Sequence, residues 1–269
     1  MKIDKLLLEI ASITRGRISK PQTLADFLEY CALITSARTD PVHMKQRLES
    51  LKELTAQYRD GELQRFNQGF VDLCNTFSHN IQQELYEDLF ALPFTQIGAT
   101  NKELKQSFSP DDIAKLMANI IFPPQLSVSE KGFITLNDCT CGCGSLLLAG
   151  IQHYANAGYN PTKQLTIEAA DLDVRCVHMA YLQFSFYGIP AVVVHGNEIT
   201  LHEYDRWYTP VYLSKKWIWR AQMRFGESGY ISDEKLKCFD EPLYGALKCL
   251  DRKLSVVDED STTDEPKTI

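Results

Sequence analysis

The chain has 269 residues and a formal net charge of −7, with 44% of its residues hydrophobic and 10% aromatic. That length buries one full core plus a modest second unit, and the composition is that of a soluble globular protein. No apolar run is long enough to span a bilayer and no signal-like segment opens the chain, so a cytoplasmic location is expected. The negative charge argues against unaided gripping of duplex DNA, because phosphate binding relies on Lys and Arg displacing counterions; any DNA contact needs a local basic patch or a partner. Of the eight cysteines, three crowd one short loop and the rest are scattered, which is no disulfide framework; reduced thiols are expected.

Residues 1–100 read as a helical lobe. Thr23 is placed to cap a helix carrying Leu24, Phe27, Leu28, Cys31 and Ile34 on one face. Met44, Leu48, Leu51, Leu54 and Tyr58 recur at helical spacing, as do Phe66, Phe70, Leu73, Phe77 and Ile81 after Gly61. Such stripes are core or interface and specify nothing further. Another helix start follows: Ser109 as N-cap, Pro110 at the first helical position and Asp111-Asp112 in the first turn, ahead of Ile113, Leu116, Met117 and Ile120.

The pattern changes after Gly132. Phe133 to Leu136 is a short apolar run ending at Asp138 and a glycine turn, followed by a helix marked by Leu147, Leu148, Ile151 and Tyr154. Leu165 to Ala170 is a second strand ending at Asp171, and Cys176, Met179, Leu182 and Phe186 mark a second helix. Ala191 to Val194 is a third strand, ending at Gly196-Asn197. This alternation predicts parallel pairing, in which ligands bind beyond the carboxyl ends of the strands. After residue 200 the alternation is hard to follow. The segment 206–251 begins with Trp207, Tyr208, Tyr212, Trp217 and Trp219 among Arg206, Lys215, Lys216, Arg220 and Arg224. Aromatics among cations can stack on and neutralise nucleic acid, or pack on the sheet with snorkelling cations; packing is the favoured reading. Residues 252–269 read as a disordered acidic tail.

The loop from Asp138 to Gly144 carries the chemistry. Gly142 and Gly144 let the backbone turn sharply and let a ligand approach, while the next helix offers unpaired N–H groups. Asp138 is placed to accept hydrogen bonds from a ligand ammonium or hydroxyl. An ordinary tight turn explains the glycines equally well, and a metal on Cys139, Cys141 and Cys143 lacks a His–Cys partner set, so no metal is expected. Asp171, about thirty residues beyond the glycine turn, suits the two hydroxyls of a ribose. Alternatively Asp171 or Asp173 caps the following helix, and both roles can coexist.

Asp138-Cys139-Thr140-Cys141-Gly142-Cys143-Gly144 resembles the Asp-Pro-Ala-Cys-Gly-Ser-Gly motif of adenine-N6 DNA methyltransferases, including the N-6 DNA methylase subunits of type I restriction–modification systems. Gln106-Ser107-Phe108-Ser109-Pro110 resembles the family's Gln-Phe-Phe-Thr-Pro element beside the methionine part of the cofactor. Ala170-Asp171-Leu172-Asp173 resembles its ribose-binding strand end, and His195-Gly196-Asn197 its Gly-Asp element near the cofactor's adenine. The likeness covers residues from about 85 to 200, with the motifs in the family's order. It implies an α/β fold, a helical lobe followed by an incomplete Rossmann-like methyltransferase domain over residues 101–205. It further implies S-adenosyl-L-methionine held by Phe108, Ser109, Pro110, Asp138, Cys141, Gly142, Gly144, Asp171, Leu172 and Asn197. DNA, reached through a specificity or partner subunit, would be the substrate.

The family's Asn-Pro-Pro-Tyr motif, whose Asn and proline carbonyl grip the target amino group of a flipped base, is not recognisable. The nearest segments are Tyr208-Thr209-Pro210-Val211-Tyr212, Phe122-Pro123-Pro124-Gln125 and Asn160-Pro161-Thr162-Lys163. The catalytic residues are therefore unassigned. Three readings follow: a working methylase with a diverged base pocket built from Thr209, Pro210 and Tyr212, a non-catalytic cofactor-binding module, or a subunit completed by a partner.

Overall fold

A computed structural model describes residues 3–100, 108–123 and 133–214. Its first part is helical: α1 (Ile3–Ala11), α2 (Lys20–Thr39), α3 (Met44–Thr55), α4 (Asp60–Gln82) and α5 (Ala91–Gln96). The start of α2 falls at Ser19 rather than Thr23, because the Ser19 hydroxyl accepts the Gln22 N–H and a proline occupies the first turn. Thr23 sits one turn inside, fully buried, its hydroxyl donating back to the Ser19 carbonyl. The expected α4 stripe does form core. Phe66, Leu73 and Phe77 are buried, and the Phe66 ring sits 5.3 Å from Phe27 and 4.8 Å from Tyr58.

The helix α6 (Asp111–Ile121) begins one residue later than its motif suggests. Pro110 is the cap, in extended backbone, and its carbonyl accepts the N–H groups of Ile113 and Ala114; no side chain caps the helix. Beyond it the chain alternates: β1 (Ile134–Asp138), α7 (Ser145–Asn156), α8 (Pro161–Gln164), β2 (Leu165–Asp171), α9 (Val174–Phe186) and β3 (Ala191–Asn197). The expected parallel pairing is present, with Asp138 beside Ala169 and Asp171 beside His195. A fourth strand, β4 (His202–Tyr208), then turns back antiparallel to β3, giving a mixed α/β structure with sheet order β1-β2-β3-β4.

The two sheet faces differ. Leu165, Ile167 and Ala169 of β2, Ala191 and Val193 of β3, and Trp207 of β4 join α7, α9 and the N-terminal helices in one continuous core. On the other face, Val192 packs only with Tyr208, Tyr212 and Leu213 among the buried apolar residues. Helix α3 and strand β4 are joined by Arg47, which is 2% exposed. Its guanidinium forms a two-pronged pair with Asp205, one arm at 3.0 Å, and lies 3.6 Å from the centre of the Trp207 ring. No helix among the described residues is long and apolar enough to cross a membrane.

Candidate functional site

The turn between β1 and α7 is built from residues whose backbone only glycine readily adopts. Gly142 has φ +55° and Gly144 has φ +95°, the left-handed region where a Cβ is strained. A Cβ on Gly144 would lie 2.9 Å from Cζ of Phe184, and one on Gly142 would lie 3.4 Å from the Phe108 ring. Phe108 therefore covers the turn from outside, braced edge-on by Phe94 at 6.2 Å. Gly144 also occupies the N-cap position of α7, so no side chain caps that helix start.

Asp138 closes β1 by accepting the Thr140 N–H through Oδ1 at 3.0 Å. Asp171 reaches across from β2: Oδ2 accepts the Gly142 N–H at 2.8 Å and Oδ1 the Asp173 N–H, also at 2.8 Å. Burial raises the Asp171 pKa above the usual carboxylate range, while these two N–H donors pull the other way. Asp173 caps α9 by accepting the Arg175 N–H and carries that arginine as an ion pair at 2.6 Å. Asp171 thus ties the glycine turn to β2, and capping belongs to Asp173.

The three cysteines of the loop part company. Cys139 is exposed, whereas Cys141 and Cys143 are buried. Burial, reinforced by the charge of Asp171 for Cys141 and of Asp88 for Cys143, pushes both thiols well up, so they stay protonated at neutral pH. Among the described residues no group of three or more His, Cys, Asp or Glu side chains is arranged to hold a metal ion.

Asp88 is the site residue that the sequence does not reveal. Its Oδ1 accepts the N–H groups of Phe90 and Ala91, starting α5, at 2.9 and 3.0 Å. Its Oδ2 accepts the Cys143 thiol at 2.9 Å and the Ser145 hydroxyl. Gln183 of α9 completes the network, donating to Asp88 at 3.2 Å and to the Cys143 carbonyl at 2.8 Å. An aspartate ahead of an apolar helix signals a cap; nothing local signals a partner 55 residues away.

The remaining residues fall at the same strand edge but not all in one cavity. Leu172 is 42% exposed beside Asp171. Asn197 ends β3 with its Oδ1 accepting the N–H groups of Ile199 and Thr200, so it shapes the turn into β4. A cleft of about 210 Å³ is lined by Asp138, Asn197, Glu168 and Arg206, yet takes in neither the two glycines nor Asp171 and Phe108. Ser109 and Pro110 lead directly into α6. Gln106 and Ser107 lie outside the described residues, as do 215–251 and 252–269.

The segments nearest to the Asn-Pro-Pro-Tyr motif lie away from the glycine turn, except Pro124 and Gln125, which fall outside the described residues. Because β4 is antiparallel, Tyr208 pairs with Val192 and Thr209 bonds the Ala191 N–H and Ile189 carbonyl, at the amino end of β3. Asp171, which anchors the glycine turn, pairs with His195, four residues further along β3, or about 13 Å along the strand at ~3.3 Å per residue. This register places Thr209 beside the amino end of β3, while the glycine turn lies toward the carboxyl ends of β1 and β2. Phe122 packs on Gly150 and Tyr154, and Asn160 caps α8. Of the aromatics in the described start of the basic segment, Trp207, Tyr208 and Tyr212 are buried and Arg206 pairs with Glu203, so packing holds there.

Comparison of the chain with protein-family models, with curated proteins and with solved structures finds no match.

Proposed function

We propose that this chain binds S-adenosyl-L-methionine at the β1–α7 turn in a Rossmann-like half-sheet, as a cofactor-binding member of a DNA adenine-N6 methylation system. The observation that carries the reading is the turn itself: two left-handed glycines, an uncapped helix start and an acidic group at the end of each flanking strand. A Cβ at Gly142 would fill the space under Phe108, so the glycine keeps a narrow cradle between ring and backbone.

The residues present fit the cofactor's chemistry. Asp138 uses Oδ1 for the turn, leaving Oδ2 to hold an ammonium group. The α7 start supplies N–H groups and a positive dipole end for a carboxylate. Leu172, exposed beside Asp171, offers an apolar surface to a flat base. When bound, the cofactor supplies an electrophilic methyl group. Asp171 holds the turn in place through the Gly142 N–H, and its second lone pairs remain available to ribose hydroxyls.

A second reading, a module without its own base pocket, is favoured by one observation. The chain turns back as β4 after β3, which carries Thr209 to the amino end of β3, away from the glycine turn. Isothermal titration tests the first claim. Wild type should bind S-adenosyl-L-methionine, and Asp138→Asn, which keeps the Thr140 hydrogen bond but removes the charge, should bind at least about tenfold more weakly at unchanged melting temperature. Absence of binding by wild type overturns the proposal. Transfer of a tritiated methyl group to DNA would overturn the second reading.

A further inference from the structure

The structure carries one strongly charged feature far from any motif. The loop joining α1 to α2 and the corner joining α3 to α4 enclose an open cleft of about 1110 Å³ lined by Arg15, Arg17, Arg59 and Arg65, with Glu9 and Glu62 as its acidic members. Glu62 pairs with Arg17, and Glu9 pairs with Lys5 at 3.8 Å. Arg15, Arg59 and Arg65 are exposed and form no side-chain ion pair among the described residues, although Glu62 accepts the Arg59 backbone N–H at 2.8 Å and feels its charge. In a chain of net charge −7, four arginines against two glutamates on one cleft are a local reversal of sign.

The loop that presents them is fixed. The Thr14 hydroxyl donates to the Ile18 carbonyl at 2.9 Å, and Arg17 donates to the Gln57 carbonyl at 2.8 Å, locking the two corners together. Arg15 is held at φ +51°, a conformation rare outside glycine, which turns its side chain into the cleft lining. Guanidinium groups fit phosphate oxygens in two-pronged geometry, and a rigid mount reduces the ordering cost of each contact. An open cleft bounded by arginines from two corners suits a polymer that crosses it rather than a small enclosed ligand.

We infer that Arg15, Arg59 and Arg65 form a phosphate-backbone contact for duplex DNA. The choice of DNA rests on the proposed function, and the cleft is the local basic patch which that function needs in an acidic chain. Arg17 is a positioning residue, since it is already engaged with Glu62 and Gln57.

Fluorescence anisotropy of a labelled 25-base-pair duplex, titrated with the full chain at several salt concentrations, tests the assignment. Each phosphate contact contributes about 0.9 to the slope of log affinity against log salt, so replacing Arg15, Arg59 and Arg65 by Gln should lower the slope by about 2.7 and weaken binding at least about tenfold in 100 mM salt. A control replacing Lys45, Lys52 and Lys163 by Gln removes the same charge outside the cleft and should keep most of the slope. Equal losses in both variants, an unchanged slope in the arginine variant, or no DNA binding by wild type would each overturn the inference. Tighter binding of single-stranded RNA would overturn the choice of DNA. Titration of the arginine variant with S-adenosyl-L-methionine separates the two proposals: it should bind as wild type does. Loss of cofactor binding in wild type alone would sink the proposed function and leave the phosphate contact standing.

Discussion

Gly142 and Gly144 look alike in sequence, yet the structure gives them different tolerances. At Gly144 a methyl group meets both a left-handed backbone and the buried Phe184 ring at 2.9 Å. Gly144→Ala should therefore cost about 2–4 kcal/mol, combining left-handed strain with overpacking. Gly142→Ala meets only the edge of Phe108 at 3.4 Å and should cost about 1–2 kcal/mol, mostly backbone strain. Urea unfolding of the two variants checks the order, and equal losses would contradict the packing argument. Asp88→Ala removes the acceptor for two amides, a thiol and a hydroxyl at once. It should cost at least about 2 kcal/mol by the same measurement, since these buried donors are left without a partner.

Elements with a strong local period were legible, and those stabilised by distant partners were not. The α2 and α4 faces, the three parallel strands and the Asp173 cap follow from spacing and short-range chemistry. The strand β4 was invisible because His-Glu-Tyr-Asp-Arg-Trp-Tyr reads as polar. Its inward Asp205 is neutralised by Arg47, 158 residues earlier in the chain, which no window can see. The start of α6 lies one residue beyond Ser109 because Ser-Pro offers two caps and the extended Pro110 takes the position. The glycine turn is visible in the sequence, but its anchors at Asp88 and Gln183 lie in other parts of the chain. At this scale the Arg47–Asp205 pair is the joint between α3 and β4. Arg47→Met should destabilise by about 3 kcal/mol, because Asp205 is then left without its partner beside Trp207. Replacing Asp205 with Leu as well should restore much of that loss, and a double-mutant cycle by thermal unfolding reads the coupling.

Across the whole molecule the helical lobe and the sheet share one apolar core, running from Leu6 and Phe27 through Phe77 to Ile151, Met179 and Val193. Calorimetry should show one transition, and a protein cut near residue 100 should yield no folded half. Acid should undo the same joint. His178, 4% exposed on α9 and 4.9 Å from Trp207, is held near pKa 3 by burial, helped by Arg47 and His195 against Asp205 and Asp173. The unfolded imidazole titrates near 6.5, so between those values the unfolded chain binds more protons. Stability from this group is complete above pH 6.5 and falls as pH drops toward 3; His178→Gln should flatten that limb of a stability–pH curve. Asp88 has a kinetic consequence as well. One of its oxygens holds the amides of Phe90 and Ala91 and the other holds the turn that follows β1. A molecule that immobilises the turn therefore slows hydrogen–deuterium exchange at two backbone sites it does not touch, which makes those amides a remote clock for occupancy.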